Sequence, residues 1–269
     1  MNQVTSNLNI PFFLVGAMAR DFLLEKLHEI STFRATVDYD LGVQLESWES
    51  FVMLKSALIK TGCLTETREY HRLLYKNSKN VDLIPFGRIG GRKKVLKWPP
   101  TGDVEMNIAG FEAAYESAVY IVIQNNPRIE IKVVSLPGLA ALKIFSWNDR
   151  SYEKTTDAAD LAVILRSYSD AGNSDRIYEN RMELLKQRDY DYVSAGAGLL
   201  GEDIKRILKN GSLKKVLAIL KNEIGVKDKY RLIEDMIRSG VISGQDFAGM
   251  LNLLEEMTRG IEKPVSIPG

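Results

Sequence analysis

A single cysteine, two histidines and almost no net charge are the first limits this chain sets on itself. Cys63 has no partner for an internal disulfide, which fits a reducing compartment, and no Cys/His cluster has the spacing of a zinc site. With 36 Lys and Arg against 35 Asp and Glu, the net charge of +1 supplies no whole-molecule field to steer nucleic acid or membrane. Any such partner must meet a local patch. The longest apolar runs, such as PFFLVGAMA and AVYIVI, are far shorter than the roughly 20 residues of a membrane helix. The opening MNQVTSNLNI has neither the basic start nor the apolar core of a signal peptide. These absences lead to the expectation of a cytoplasmic protein with no membrane partner. What is present, 45% hydrophobic and 26% charged over 269 residues, is enough for one large or two modest domains.

Two regimes of periodicity follow along the chain. Residues 11–15 (PFFLV) read as a short strand closed by Gly16, and AMARDFLLEKLHEI continues with apolar residues at helical spacing. TVDYDLGVQL reads as a strand and SWESFVMLKSALIKTG as a helix, with Ser47 at its N-cap and Gly62 past its end. YHRLLYK and VDLIPFG flank the turn NSKN as a hairpin. The basic, glycine-bearing loop GRIGGRKKVLKWPPTG leads to two further strands, AAYESAVYIVI and IEIKVVS, about the turn NNPR. After residue 135 the segments are helical in period. The expected organisation is an α/β (α+β) domain over residues 1–135 and an all-helical domain over 136–269, with the boundary near Leu136–Pro137.

The chemistry-bearing residues lie mostly in the first regime. Alternation along a strand projects Asp38 and Asp40 to one side and Val37, Tyr39 and Leu41 to the other. Two carboxylates on one face repel unless a cation lies between them, and such hard oxygen donors suit Mg²⁺. An isolated D-x-D is more often a solvated pair. Asp82, on the second strand of the hairpin, adds a third carboxylate, and two metals bridged by such a set can bind the attacking and leaving oxygens of displacement at phosphorus. Gly16 closes a strand-to-helix turn where backbone N–H groups can approach an anion, and Arg20 adds a charged donor one turn on.

In this order the features resemble the nucleotidyltransferase superfamily of DNA polymerase β: a Gly-Ser or Gly-Gly turn opening a helix, a D-x-D strand, then a later strand with a third Asp. Those positions read Gly16-Ala17, Asp38-Tyr39-Asp40 and Asp82 here, so the hydroxyl that many members offer at the second turn position is replaced by Ala17. The segment VSLPGLAALKIFSWNDRSYEKTTDAADLAVIL is similar to that of the AbiEii/AbiGii-type toxin family: a helical Lys, a downstream Arg, then Lys-x-x-Asp-x-x-Asp-Leu. By spacing, Lys143 and Arg150 share a helical face, as do Lys154, Asp157 and Asp160. The resemblance spans about residues 11–166 and implies a mixed sheet flanked by helices. It also implies transfer of a nucleoside monophosphate from an NTP to an acceptor hydroxyl on RNA, protein or a small molecule.

In that scheme Asp38, Asp40 and Asp82 hold two Mg²⁺ ions, and Gly16, Ala17, Arg20, Lys143 and Arg150 meet the NTP. Lys154, Asp157 and Asp160 serve the interface between domains, and an antitoxin protein is an expected partner. LVGAMARDFLL is also similar to the opening of CCA-adding enzymes and bacterial poly(A) polymerases, but the Arg-Arg-Asp-Phe-Thr-Ile-Asn-Ala type of segment that follows in those enzymes is missing. An antibiotic-modifying or tRNA-tailing relative, or a catalytically silent nucleotide- or RNA-binding module, are the alternatives. Arg88, Arg92, Lys93, Lys94, Lys97 and Trp98 could hold a polynucleotide but read first as a solvated hairpin tip, and His28 and His71 lack partners at ligand spacing.

Overall fold

The β-rich and amphipathic runs of the first 135 residues build a mixed seven-stranded sheet with short helices. The structure, a computed structural model, describes residues 1–32, 36–150, 154–224, 229–240 and 247–263. In chain order the elements are α1 (Asn2–Asn7), β1 (Phe12–Val15), α2 (Gly16–Asp21), β2 (Tyr39–Gln44), α3 (Trp48–Ile59), β3 (Leu64–Glu66), β4 (Arg72–Tyr75), β5 (Lys79–Phe86), β6 (Val95–Lys97), β7 (Glu105–Asn107), α4 (Phe111–Glu116), β8 (Val119–Asn125) and β9 (Arg128–Val133). The sheet order is β3-β4-β5-β2-β1-β9-β8, and β6 pairs β7 in a separate ribbon. β2 runs parallel to β5 and β1 parallel to β9, while the remaining neighbours are antiparallel.

Local chemistry accounts for several of these boundaries. Ser47 caps α3 by accepting from the backbone N–H of Ser50, and the helix buries Phe51, Leu54 and Leu58 at the expected spacing. Gly42 faces Phe13 across the β1–β2 ladder, and a Cβ at Gly42 would lie 2.3 Å from that ring. The ring of Phe13 therefore fills the space over the strand and packs edge-on against Phe86, Phe111 and Tyr115. One expectation is corrected here. The run AAYESAVYIVI is not strand throughout: residues 111–116 form α4, buried through Phe111, Ala113 and Ala114, and the strand begins only at Val119. Two alanines favour the helix.

Helices dominate after Ser135: α5 (Leu136–Arg150), α6 (Thr156–Ser167), α7 (Ser174–Asn180), α8 (Met182–Lys186), α9 (Tyr192–Ile207), α10 (Asn210–Glu223), α11 (Arg231–Arg238) and α12 (Phe247–Glu262). Residues 151–153 of the family-like segment, and the expected starts of the last two helices at 228 and 243–246, lie outside the described residues. Contacts group Met1–Ala19 with Thr36–Ser135 as one compact unit, and Arg20–Ala35 with Leu136–Gly269 as the other. The segment from Arg20 thus packs with the later helices, through a π-helical turn at Phe22–Lys26 and a buried Arg20 that ion-pairs with Asp160 of α6.

The expected helix DRIYENRMELLKQ is divided at Arg181, whose φ of −140° breaks the helical path and whose guanidinium reaches Glu202 at 3.0 Å. The expected helix GEDIKRILKN is the C-terminal part of a longer one, α9, whose first half runs through the small residues SAGAG. Its glycines have a packing reason. A Cβ on Gly201 would lie 2.0 Å from the carbonyl oxygen of Met257 in α12, and one on Gly260 would lie 2.1 Å from that of Gly198. Backbone meets backbone there, which offsets the low helix propensity of glycine. Gly201→Ala is therefore expected to cost about 1–3 kcal/mol in denaturant unfolding. Gly211→Ala, where nothing lies within 4 Å, is expected to leave the midpoint unchanged or slightly raised.

Candidate active site

Because β2 and β5 are parallel neighbours in register, Asp40 stands opposite Asp82. Register partners on adjacent strands present their side chains to the same face, so the two carboxylates share it. Asp38 lies one residue before β2 begins and accepts a hydrogen bond from Asn80 Nδ2 at 3.1 Å. On the other side of β2, Asp40 is opposite Val15, the last residue of β1. Its carboxylate lies directly over the next residue, Gly16. A Cβ at Gly16 would be 1.9 Å from Asp40 Oδ2, and the Gly16 φ of +71° is itself unfavourable for other residues. Glycine is required at the turn by the acid beside it. Ala17 follows, buried, in a helix α2 of only six residues.

Asp82 already has a cation. Arg72, opposite it across the β4–β5 ladder, donates from Nε to Oδ1 and from Nη2 to Oδ2, both at 2.7 Å. This fork-on-carboxylate geometry is the strongest form of the pair. It raises the Arg72 pKa above its ordinary value, with partial burial opposing. His71 Nε2 lies 3.9 Å from Asp82 Oδ2. Burial pushes the imidazole below its usual pKa, although Asp82 pulls the other way. Periodicity did not single out Arg72, yet the signal was present: the NSKN turn that sets Tyr75 opposite Lys79 also sets Arg72 opposite Asp82.

The donor chemistry of Asp38, Asp40 and Asp82 fits a hard divalent cation. Their arrangement is not yet that of a cage. Among the described residues no three His, Cys, Asp or Glu side chains are grouped to hold an ion; Arg72 holds both oxygens of Asp82 and Asn80 holds one of Asp38.

The other expected residues belong to the second unit, where they form one ionic network. Lys143 is buried in α5 with its Nζ 2.8 Å from Asp157 Oδ1 and 2.5 Å from Asp160 Oδ2. Arg150 Nη2 meets Asp157 Oδ2 at 2.9 Å, and Ser146 Oγ donates to the same oxygen at 2.8 Å. Arg20 pairs with Asp160 and also donates from Nε to Asp21 Oδ1 at 2.8 Å. Thr32, fully buried, holds the chain back toward Asp21 and Glu25 through its hydroxyl. Lys154 precedes α6 and is exposed, so it does not share the buried face of Asp157 and Asp160. The charged groups of Arg20 and Lys143, expected at a triphosphate, are thus already matched by carboxylates. Burial disfavours the Lys143 ammonium, but Asp160 and Asp157 hold its pKa above the ordinary value. Burial likewise opposes ionisation of Asp157, and Lys143 with Arg150 nevertheless brings it down to about 2.

Two consequences are measurable. Lys143→Ala leaves two buried carboxylates short of a cation, and is expected to cost about 3–5 kcal/mol of stability in denaturant unfolding. A residue that only bound a ligand would cost little in the unliganded protein. Since Asp157 titrates at about 2 when folded against 3.8 ordinarily, its contribution is complete above about pH 4 and is lost as pH falls toward 2. Unfolding midpoints measured between pH 5 and 2 are expected to fall in that window, and less steeply in Asp157→Asn.

A family model described as "Nucleotidyl transferase AbiEii toxin, Type IV TA system" matches residues 1–250. Among solved structures, the chain is similar to the solution structure of the antibiotic-resistance factor ANT(2'')-Ia, at 13% identity and a TM-score of 0.37 over 70% of this chain and 92% of that one. It is also similar to the Thermotoga maritima CCA-adding enzyme complexed with tRNA, at 12% identity and a TM-score of 0.28 over 96% of this chain and 78% of that one. Scores this low decide nothing about individual residues. No curated protein sequence matches the chain.

Proposed function

The chain belongs to the AbiEii nucleotidyltransferase toxin family, and from that premise we propose that it transfers a nucleoside monophosphate from an NTP to an acceptor hydroxyl on RNA, protein or a small molecule. The acceptor oxygen forms a bond to the α-phosphorus, the bond to the β-phosphate oxygen breaks, and pyrophosphate leaves. Asp38, Asp40 and Asp82 are the residues we assign to this chemistry and to holding Mg²⁺, as two ions. Bound there, the metal supplies charge neutralisation at the transferring phosphoryl group. The observation that carries the assignment is the register of β2 and β5, with Asp40 opposite Asp82 beside the Gly16 turn.

The chain's own residues have separate tasks in this reading. Gly16 and Ala17 present backbone to the triphosphate, and Asp82 takes the proton of the acceptor hydroxyl once Arg72 yields at least one of its two hydrogen bonds. Arg72 then keeps the carboxylate oriented. Arg20 and Lys143, buried under Asp160 and Asp157, are assigned to holding the helical unit together. Arg150, whose side chain is 46% exposed, retains the surface that a phosphate ligand needs. The family's description as toxins of type IV systems supports an antitoxin partner and a role in a bacterial cytoplasm. Among the described residues no helix is long and apolar enough to cross a membrane.

The test is incubation of purified protein with Mg²⁺, each labelled NTP and separate pools of RNA, protein and small hydroxyl compounds. Label is expected to move to one pool, and Asp38→Ala is expected to slow that transfer by at least about a hundred-fold. Transfer that survives the substitution would sink the assignment.

A further inference from the structure

Beside Asp82 the first unit carries a group of rings that its core does not absorb. Trp48 opens α3, Tyr70 and His71 precede β4, and Trp98 follows β6. Trp98 lies 5.3 Å from Trp48, 6.4 Å from Tyr70 and 5.2 Å from His71, ring centre to ring centre. Phe51, fully buried, forms the floor, stacked on Tyr70 at 5.4 Å and edge-on to Trp98 at 6.1 Å. The four upper rings are only half-buried. They differ in this from Phe13 and Phe86, which are fully enclosed in the sheet's core. His71 joins the group to the carboxylates, with Nε2 3.9 Å from Asp82 Oδ2.

The charge around these rings suits an anion-bearing aromatic ligand. Of the cations in the loop before Trp98, Lys94 is matched by Glu112 at 2.7 Å, Lys97 by Glu105 at 2.9 Å and Arg88 by Glu46 at 3.4 Å. Arg92 and Lys93 project exposed from the same loop. Lys55, 5.2 Å above the centre of the Tyr70 ring, is likewise matched, by Glu66 at 3.3 Å. A flat ligand with a phosphate attached is the chemistry that meets both the half-buried rings and the two exposed cations, because a nucleotide joins the π-face of its base to a charged phosphate.

We infer that Trp98, His71, Tyr70 and Trp48 form a nucleobase-stacking shelf next to Asp82, with Arg92 and Lys93 attracting the attached phosphate. The inference rests on the proposed transfer reaction and adds to it the place where a base is held. Two sources share this chemistry: the base of the NTP, or the unpaired terminal base of an RNA acceptor.

The experiment measures fluorescence of 2-aminopurine, which stacking quenches, with EDTA present so that no transfer occurs. One arm uses 2-aminopurine riboside triphosphate, and the other a single-stranded RNA ending in 2-aminopurine. Saturable quenching is expected in at least one arm, and the arm identifies the source. Trp98→Leu is expected to weaken that binding about ten-fold or more, and Trp98→Phe to retain it. If thermal unfolding shows that Trp98→Leu does not fold, His71→Ala carries the same expectation. Absence of quenching in both arms, or quenching that the leucine variant leaves unchanged, overturns the shelf. Asp38→Ala is expected to quench normally while losing transfer, so failure of the reaction scheme and failure of the shelf are told apart.

Discussion

Asp40 and Asp82 stand opposite each other in the register of adjacent parallel strands, and the residues around them accommodate two like charges on one face. Like charges on one face of a sheet must be separated, hydrogen-bonded or neutralised. Arg72 neutralises Asp82 from the strand on one side, and Gly16 makes room for Asp40 at the turn on the other. Asn80 takes up Asp38. Each of the three carboxylates thus meets a neighbour of its own: a guanidinium, an amide or the space left by a glycine.

The helical unit solves the same electrostatic problem in the opposite setting. Asp157 and Asp160 are buried in α6, where an unpaired charge costs several kcal/mol. Arg20, Lys143 and Arg150 reach them from two other segments, so the network fixes where residues 20–32 and α5 lie against α6. Residues spaced like a ligand set in the sequence thus meet one another within their own unit. A motif records which residues must be present together, and not whether they meet a substrate or one another.

Much of this was legible from pattern. The β1 strand, the Ser47-capped helix, the hairpin at NSKN and the helices α5, α6 and α10 follow period and punctuation, because each is decided by residues within a few positions of one another. The helix α4 was not, since its alanines sit beside a strongly β-forming run and only burial of Phe111 chooses between them. Nor was the first half of α9: the glycines of this helix lower helix propensity and gain their place from close contacts with distant residues, as Gly201 does against the backbone of α12.

Residue identity and order alone pointed to the kind of chemistry: three aspartates and a glycine turn in an order that resembles the nucleotidyltransferases, in a chain with one cysteine and no strong net charge. Tertiary structure alone decided who partners whom. Register placed Asp40 against Asp82, strand pairing gave Asp82 to Arg72, and packing turned Lys143 and Arg20 inward onto carboxylates. The reason is range. Composition and periodicity act over a turn or two of chain, whereas charge compensation joins Arg20 to Asp160 across 140 residues, and no local pattern carries that information.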